Sequence, residues 1–142
     1  RRSSDLSSLH WLPADPRLTQ IVSTLFADSS SDVRQAMAWQ GNNMSEHTEL
    51  RDHFLHAASH DPDESVRADA LRGIHNFFSL TETVAFLRQR LAQDRNESAY
   101  WAALNAVEGH LPEKEARTFL QELTRAPFSS VAARAREVLA GE

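Results

Sequence analysis

Apolar residues recur along this chain with the period of a helix, and the helical stripes themselves recur with a longer period. Val33, Val66, Ala99 and Val131 are separated by 33, 33 and 32 residues. Four residues beyond each stand Met37, Ala70, Ala103 and Ala135, and eight beyond stand Gly41, Ile74, Val107 and Leu139. Offsets of zero, four and eight lie along one face of a helix with 3.6 residues per turn. A second stripe precedes each of the first three: Leu25, Ala58 and Leu91, then Ile21, Phe54 and Leu87, with Leu18 and Val84 further upstream. Two amphipathic stripes per period predict a helical hairpin repeated four times. The predicted helix pairs cover about 16–27 and 30–41, 46–59 and 62–77, 81–93 and 96–109, and 113–125 and 128–140. No segment keeps a period of two, so no sheet is expected.

The turns carry their own chemistry. In DPDE, Asp61 is placed to cap the following helix, Pro62 suits its first position and Glu64 can bond back three residues on. DRNE repeats the arrangement with Asp94 and Glu97. SLTE before the third pair and LPEKE before the fourth are further start signals, and GNNMS separates the first two pairs.

An acidic turn followed by Val-Arg, an Ala four later and an aliphatic residue eight later resembles HEAT repeats. The likeness is to the short bacterial kind first noted in phycobilisome lyases. DPDESVRADALRGI matches best. SSDVRQAM keeps Val-Arg but has Gln40-Gly41 at apolar positions, ESAYWAALNAV has Ala-Tyr for Val-Arg, and SSVAARAREVL has Ala132 in the Arg place. The resemblance covers residues 16–140 and implies an all-α fold, a right-handed α-solenoid (superhelix) of about four HEAT-like hairpins. The units are about 16–44, 45–79, 80–111 and 112–140, with 1–15 as an N-terminal extension. It also implies that turn Asp and Val-Arg side chains bond between neighbouring units, through Asp28, Arg34, Asp61 and Arg67. Tetratricopeptide and ankyrin repeats have similar periods, but their landmark residues are missing. Within the extension, Leu9, Trp11 and Leu12 are expected to cover the open edge of the first pair, and Arg1–Ser8 to act as a linker.

Composition narrows the function. The chain has 142 residues and a net charge of −5, with 15 Lys and Arg against 20 Asp and Glu. Nucleic-acid binders need surplus positive charge to displace counterions, so no nucleic-acid partner is expected. The apolar runs are too short to cross a bilayer, so no membrane partner is expected and the protein is read as soluble, with a lean towards the cytoplasm. With no Cys, disulfides, thiolate metal sites and a Cys nucleophile are excluded. There is no GxSxG and no glycine-rich phosphate loop among four scattered Gly. The chain is therefore read as non-enzymatic, without a cofactor.

A solenoid stacks its hairpins and presents a long, slightly curved surface whose inner side is lined by the second helices. Offsets of two, six and nine from the Val position turn away from the core. They select Gln35, Trp39 and Asn42, then Ala68, Arg72 and His75, then Trp101, Asn105 and Glu108. Trp and Arg are enriched in interface hot spots, so Trp39, Arg72, His75, Trp101 and Asn105 are the expected partner-binding residues. The expected partner is a protein or peptide segment, and the chain is read as a scaffolding module within a larger protein. The alternatives are an accessory subunit of the bilin-lyase kind and, less favoured, a DNA-binding HEAT solenoid.

One stripe has ligand chemistry. In ELRDHFLHAASH, Glu49, His53, His56 and His60 recur on one side of the third helix. Two His four apart can share a zinc ion, but His53 and His60 lie about 10 Å apart along a helix, too far for all three to bind one ion. No HEXXH motif is present. A solvated polar face rich in His is the expected reading, with protonation below pH ~6.5 as the simpler effect.

Overall fold

The computed structural model describes residues 16–142. The linker and edge-cover readings for Arg1–Ser8 and Leu9–Leu12 lie outside the described residues. Eight α-helices are found among those residues: α1 (Pro16–Phe26), α2 (Ser31–Trp39), α3 (Arg51–His60), α4 (Glu64–Arg72), α5 (Leu80–Gln93), α6 (Glu97–Glu108), α7 (Lys114–Leu123) and α8 (Ser129–Ala140). There is no strand among them. Two compact units divide between Phe77 and Phe78, each holding two hairpins. In the first unit α1 packs on α3 and α2 on α4, and in the second α5 packs on α7 and α6 on α8. First helices stack on first helices and second on second, as stacked repeats require.

The periodic residues form the cores. In the first unit Leu18, Leu25, Met37, Phe54, Val66, Ala70 and Ile74 are almost fully buried. Phe54 lies at the centre, edge-on to Phe26 at 5.2 Å and stacked on Phe77 at 4.9 Å. In the second unit Val84, Leu87, Leu91, Ala99, Ala103, Val107, Val131 and Ala135 are buried in the same way. A fully buried side chain of Leu or Phe size contributes about 1.5–3 kcal/mol, so these stripes dominate the stability of each unit. Val33 and Leu139 are only half-buried, because they lie in the first turn of α2 and the last turn of α8.

The turns differ from expectation in a regular way. Asp61 does not cap α4. Its Oδ1 accepts the Asp63 N–H at 2.9 Å, and Asp63 caps the helix by accepting from Ser65 N–H at 2.8 Å and Val66 N–H at 3.2 Å. The first hairpin repeats this: Asp28 accepts from Ser30 N–H at 2.8 Å, and Ser30 accepts from Val33 N–H at 3.4 Å. In the third, Asn96 rather than Asp94 caps α6, accepting from Ala99 N–H at 2.8 Å while its amide donates to Asp94. An Asp that starts a turn uses its carboxylate on the N–H two residues on, leaving the cap to the side chain at that position. SLTE behaves as expected: Ser79 and Glu82 form a reciprocal capping box at the start of α5.

The first unit's second helices are shorter than the expected 30–41 and 62–77. α2 gives way to a 3₁₀ turn at Gln40–Asn43 and α4 to one at Ile74–Asn76. Two glycines meet there. A Cβ on Gly73 would stand 3.0 Å from the Gly41 carbonyl carbon and 3.2 Å from Asn42 N, and one on Gly41 would stand 2.9 Å from the Phe54 ring. Asn76 Nδ2 donates to the Gly41 carbonyl at 3.0 Å, joining the two helix ends. α3 also starts later than the expected 46, because Thr48–Leu50 forms a 3₁₀ turn first.

Candidate functional site

Trp39 ends α2 and is 49% exposed, the one large hydrophobic side chain so exposed among the described residues. Helical phase puts it there: Met37 and Ala38 face the core, and the next position turns outward. Arg72, at the last turn of α4, lays its guanidinium 5.3 Å from the centre of the Trp39 ring. Its Nη1 also donates to Asp69 Oδ1 at 2.7 Å, one turn back on the same helix. The carboxylate thereby fixes the guanidinium against the indole, and neither charge is left single.

Asp32, Gln35, Ala36, Gln40 and Asp69 join Trp39 around a shallow depression of about 670 Å³. Its polar groups are mostly acceptors. Gln40 is 9% exposed, and its buried Oε1 has no hydrogen-bond partner among the described residues. Asp32, Gln40 and Asp69 are additions to the expected site residues. Asp69 could have been found from its spacing of three to Arg72, which is right for an ion pair on one helix.

Trp39 and Arg72 are thus in contact, and His75 is half-buried in the 3₁₀ turn after α4. Ala68, expected on the same outward row, is 5% exposed and belongs to the core. In the second unit, Trp101 and Asn105 lie on α6 and are both half-buried. Tyr100 beside Trp101 is buried, its ring 5.4 Å from Phe128.

The histidines gather elsewhere in the first unit. His53, His56 and His60 line a cavity of about 480 Å³ together with Asp28, Arg34 and Asp61. The His56 and His60 rings are 4.9 Å apart. No group of three or more His, Asp or Glu among the described residues is arranged to hold a metal ion. Asp61, the cavity carboxylate next to His60 in sequence, already bonds Arg34 Nε at 3.0 Å.

No helix among the described residues is long and apolar enough to cross a membrane. Neither curated proteins nor solved structures give a significant match to the chain. A family model described as HEAT repeats matches residues 51–140. That span contains the turn Asp61, the Val66–Arg67 step and helices α3 to α8. With this match over well more than half its length, the chain belongs to the HEAT-repeat family.

Proposed function

We propose that the chain is a non-catalytic protein-interaction module that holds a peptide segment of a partner on the second-helix surface of its first unit. The observation that carries this reading is the half-exposed indole of Trp39, held under Arg72 beside the depression lined by Asp32, Gln35 and Asp69. An exposed Trp with a fixed neighbour loses little conformational freedom on binding and buries a large apolar area, which is why such residues become hot spots. The rim of acceptors favours a segment that brings donors, a Lys or Arg side chain or free backbone N–H groups, to lie across the ring. His75 extends the same row, and Trp101 and Asn105 are the corresponding contact candidates on α6 of the second unit. Binding to nucleic acid is disfavoured here because Arg72 is already neutralised by Asp69.

Selection of a random-peptide display library against the wild-type chain, counter-selected against Trp39→Ala, tests this reading. Recovery of peptides that need the indole supports it. Recovery only of peptides that bind both proteins alike sinks it.

A further inference from the structure

The second unit has a trough of a different kind, on its first-helix side between α5 and α7, with a volume of about 420 Å³. Its floor is apolar: Leu91, Phe119 and Leu123 are buried beneath it, and Pro127 closes one end. Its rim is cationic. Arg88, Arg95 and Arg125 line it against a single carboxylate, Glu122. Arg88 and Glu122 neutralise each other through a two-pronged ion pair, Nε donating to Oε1 at 3.0 Å and Nη2 to Oε2. That hydrogen bond raises the Arg88 pKa above its ordinary value, and the guanidinium also lies 5.7 Å from the Phe119 ring centre. Arg95 and Arg125 are exposed, and neither guanidinium has a hydrogen-bond or ion-pair partner among the described residues.

Two free guanidiniums over an oily floor, in a chain of net charge −5, are an uneconomical way to build a surface unless something negative meets them. The first unit has a trough at the same place in its hairpin pair, since Pro62 lines that one and Pro127 holds the matching position in this one. There the polar lining includes Asp28, Asp61, the three His and one arginine, Arg34, which is bonded to Asp61. Stacking of hairpins creates the trough; only the second unit gives it this charge.

We infer that the α5–α7 trough is a second docking site, for an acidic peptide segment that places one Leu- or Phe-sized side chain on the floor and carboxylates against Arg95 and Arg125. Charge complementarity and the apolar floor together select this occupant. Arg pairs recognise carboxylates through forked hydrogen bonds, and a single aliphatic anchor fits a depression of this size. This site does not depend on the Trp39 surface, which lies in the other unit.

The test uses the full chain and a fluorescein-labelled peptide of about ten residues, Asp and Glu throughout with one central Leu, followed by fluorescence anisotropy. Binding is expected, weakening as salt rises, because exposed charges are screened beyond about 10 Å at 0.1 M. The double reversal Arg95→Glu with Arg125→Glu should weaken binding at least ~10-fold, as should replacing the Leu of the peptide with Ser. Ala92→Asp, at the exposed mouth of the trough, should do the same, and Arg95→Lys with Arg125→Lys should keep part of the affinity. Trp39→Ala should change nothing. Equal binding by wild type and by both the double reversal and Ala92→Asp, with circular dichroism showing all folded, overturns the proposal. So does tighter binding of duplex DNA or of phosphatidylserine vesicles through the same two arginines.

Discussion

Arg34 joins the first two hairpins by bonding both of their turns at once. Its Nε and Nη2 reach the Asp61 carboxylate at 3.0 and 3.4 Å, while Nη1 donates to the carbonyls of Asp28 and Ser29 at 2.9 and 3.2 Å. The side chains of the pair are 12% and 6% exposed. Arg67 makes the same backbone bond one hairpin on, donating Nη1 to the Asp61 carbonyl at 2.8 Å. Both Val-Arg arginines therefore clasp the backbone of their own turns, and Arg34 bonds the carboxylate of the following turn.

Removing one partner of this pair leaves the other poorly solvated. Arg34→Ala is expected to cost about 2–3 kcal/mol in urea unfolding, at the low end for a buried pair because some solvent reaches it. Asp61→Ala should cost more, since it also loses the turn bond to Asp63 N–H. Arg34→Lys should recover only part, as one ammonium cannot span two turns. Equal stability of all three with wild type would show that the clasp contributes nothing.

The glycines make a prediction with opposite signs. Gly73→Ala must push against backbone at 3.0 Å and should destabilise by about 1–3 kcal/mol. Gly109, after α6, has a φ of −72°, and a Cβ added there would meet no atom within 4 Å. Gly109→Ala should therefore be neutral or stabilise by up to about 1 kcal/mol, through the unfolded chain. Urea midpoints of the two variants decide this.

Capping separates two turn residues that look alike in sequence. Asp63→Ala should cost about 1 kcal/mol, the usual value of an N-cap, without disturbing the Arg34 bond. Combined with Arg34→Ala, its cost should be roughly additive, whereas Asp61→Ala with Arg34→Ala should fall well short of the sum.

Much of this architecture is legible in the chain because burial repeats. Positions such as Val66, Ala70 and Ile74 are chosen by the same neighbour contacts in every hairpin, so their pattern survives in the sequence. Gly41 stands out as a defect in that pattern; it is where two helix ends and the Phe54 ring come together, a contact made across 13 to 32 residues that no local period records. The caps fall two residues beyond their expected places because DPDE offers two aspartates and only the turn geometry chooses between them. Of the outward row, Trp39 is exposed while Ala68, a side chain small enough to be enclosed, is buried. Neither trough is visible in the sequence, since each is formed by first helices of successive hairpins and neither helix alone shows it.

The central claim, that Trp39 is a contact residue and not part of the core, has a direct measurement. The protein has three Trp and hence three indole N–H resonances in a ¹⁵N spectrum, and Trp39→Phe identifies one of them. Titration with a selected peptide is predicted to shift that resonance, and Trp39→Ala to keep wild-type stability within about 0.5 kcal/mol, as expected of an exposed position. A Trp39 resonance that stays fixed under saturating peptide, or a Trp39→Ala chain that unfolds, would contradict it.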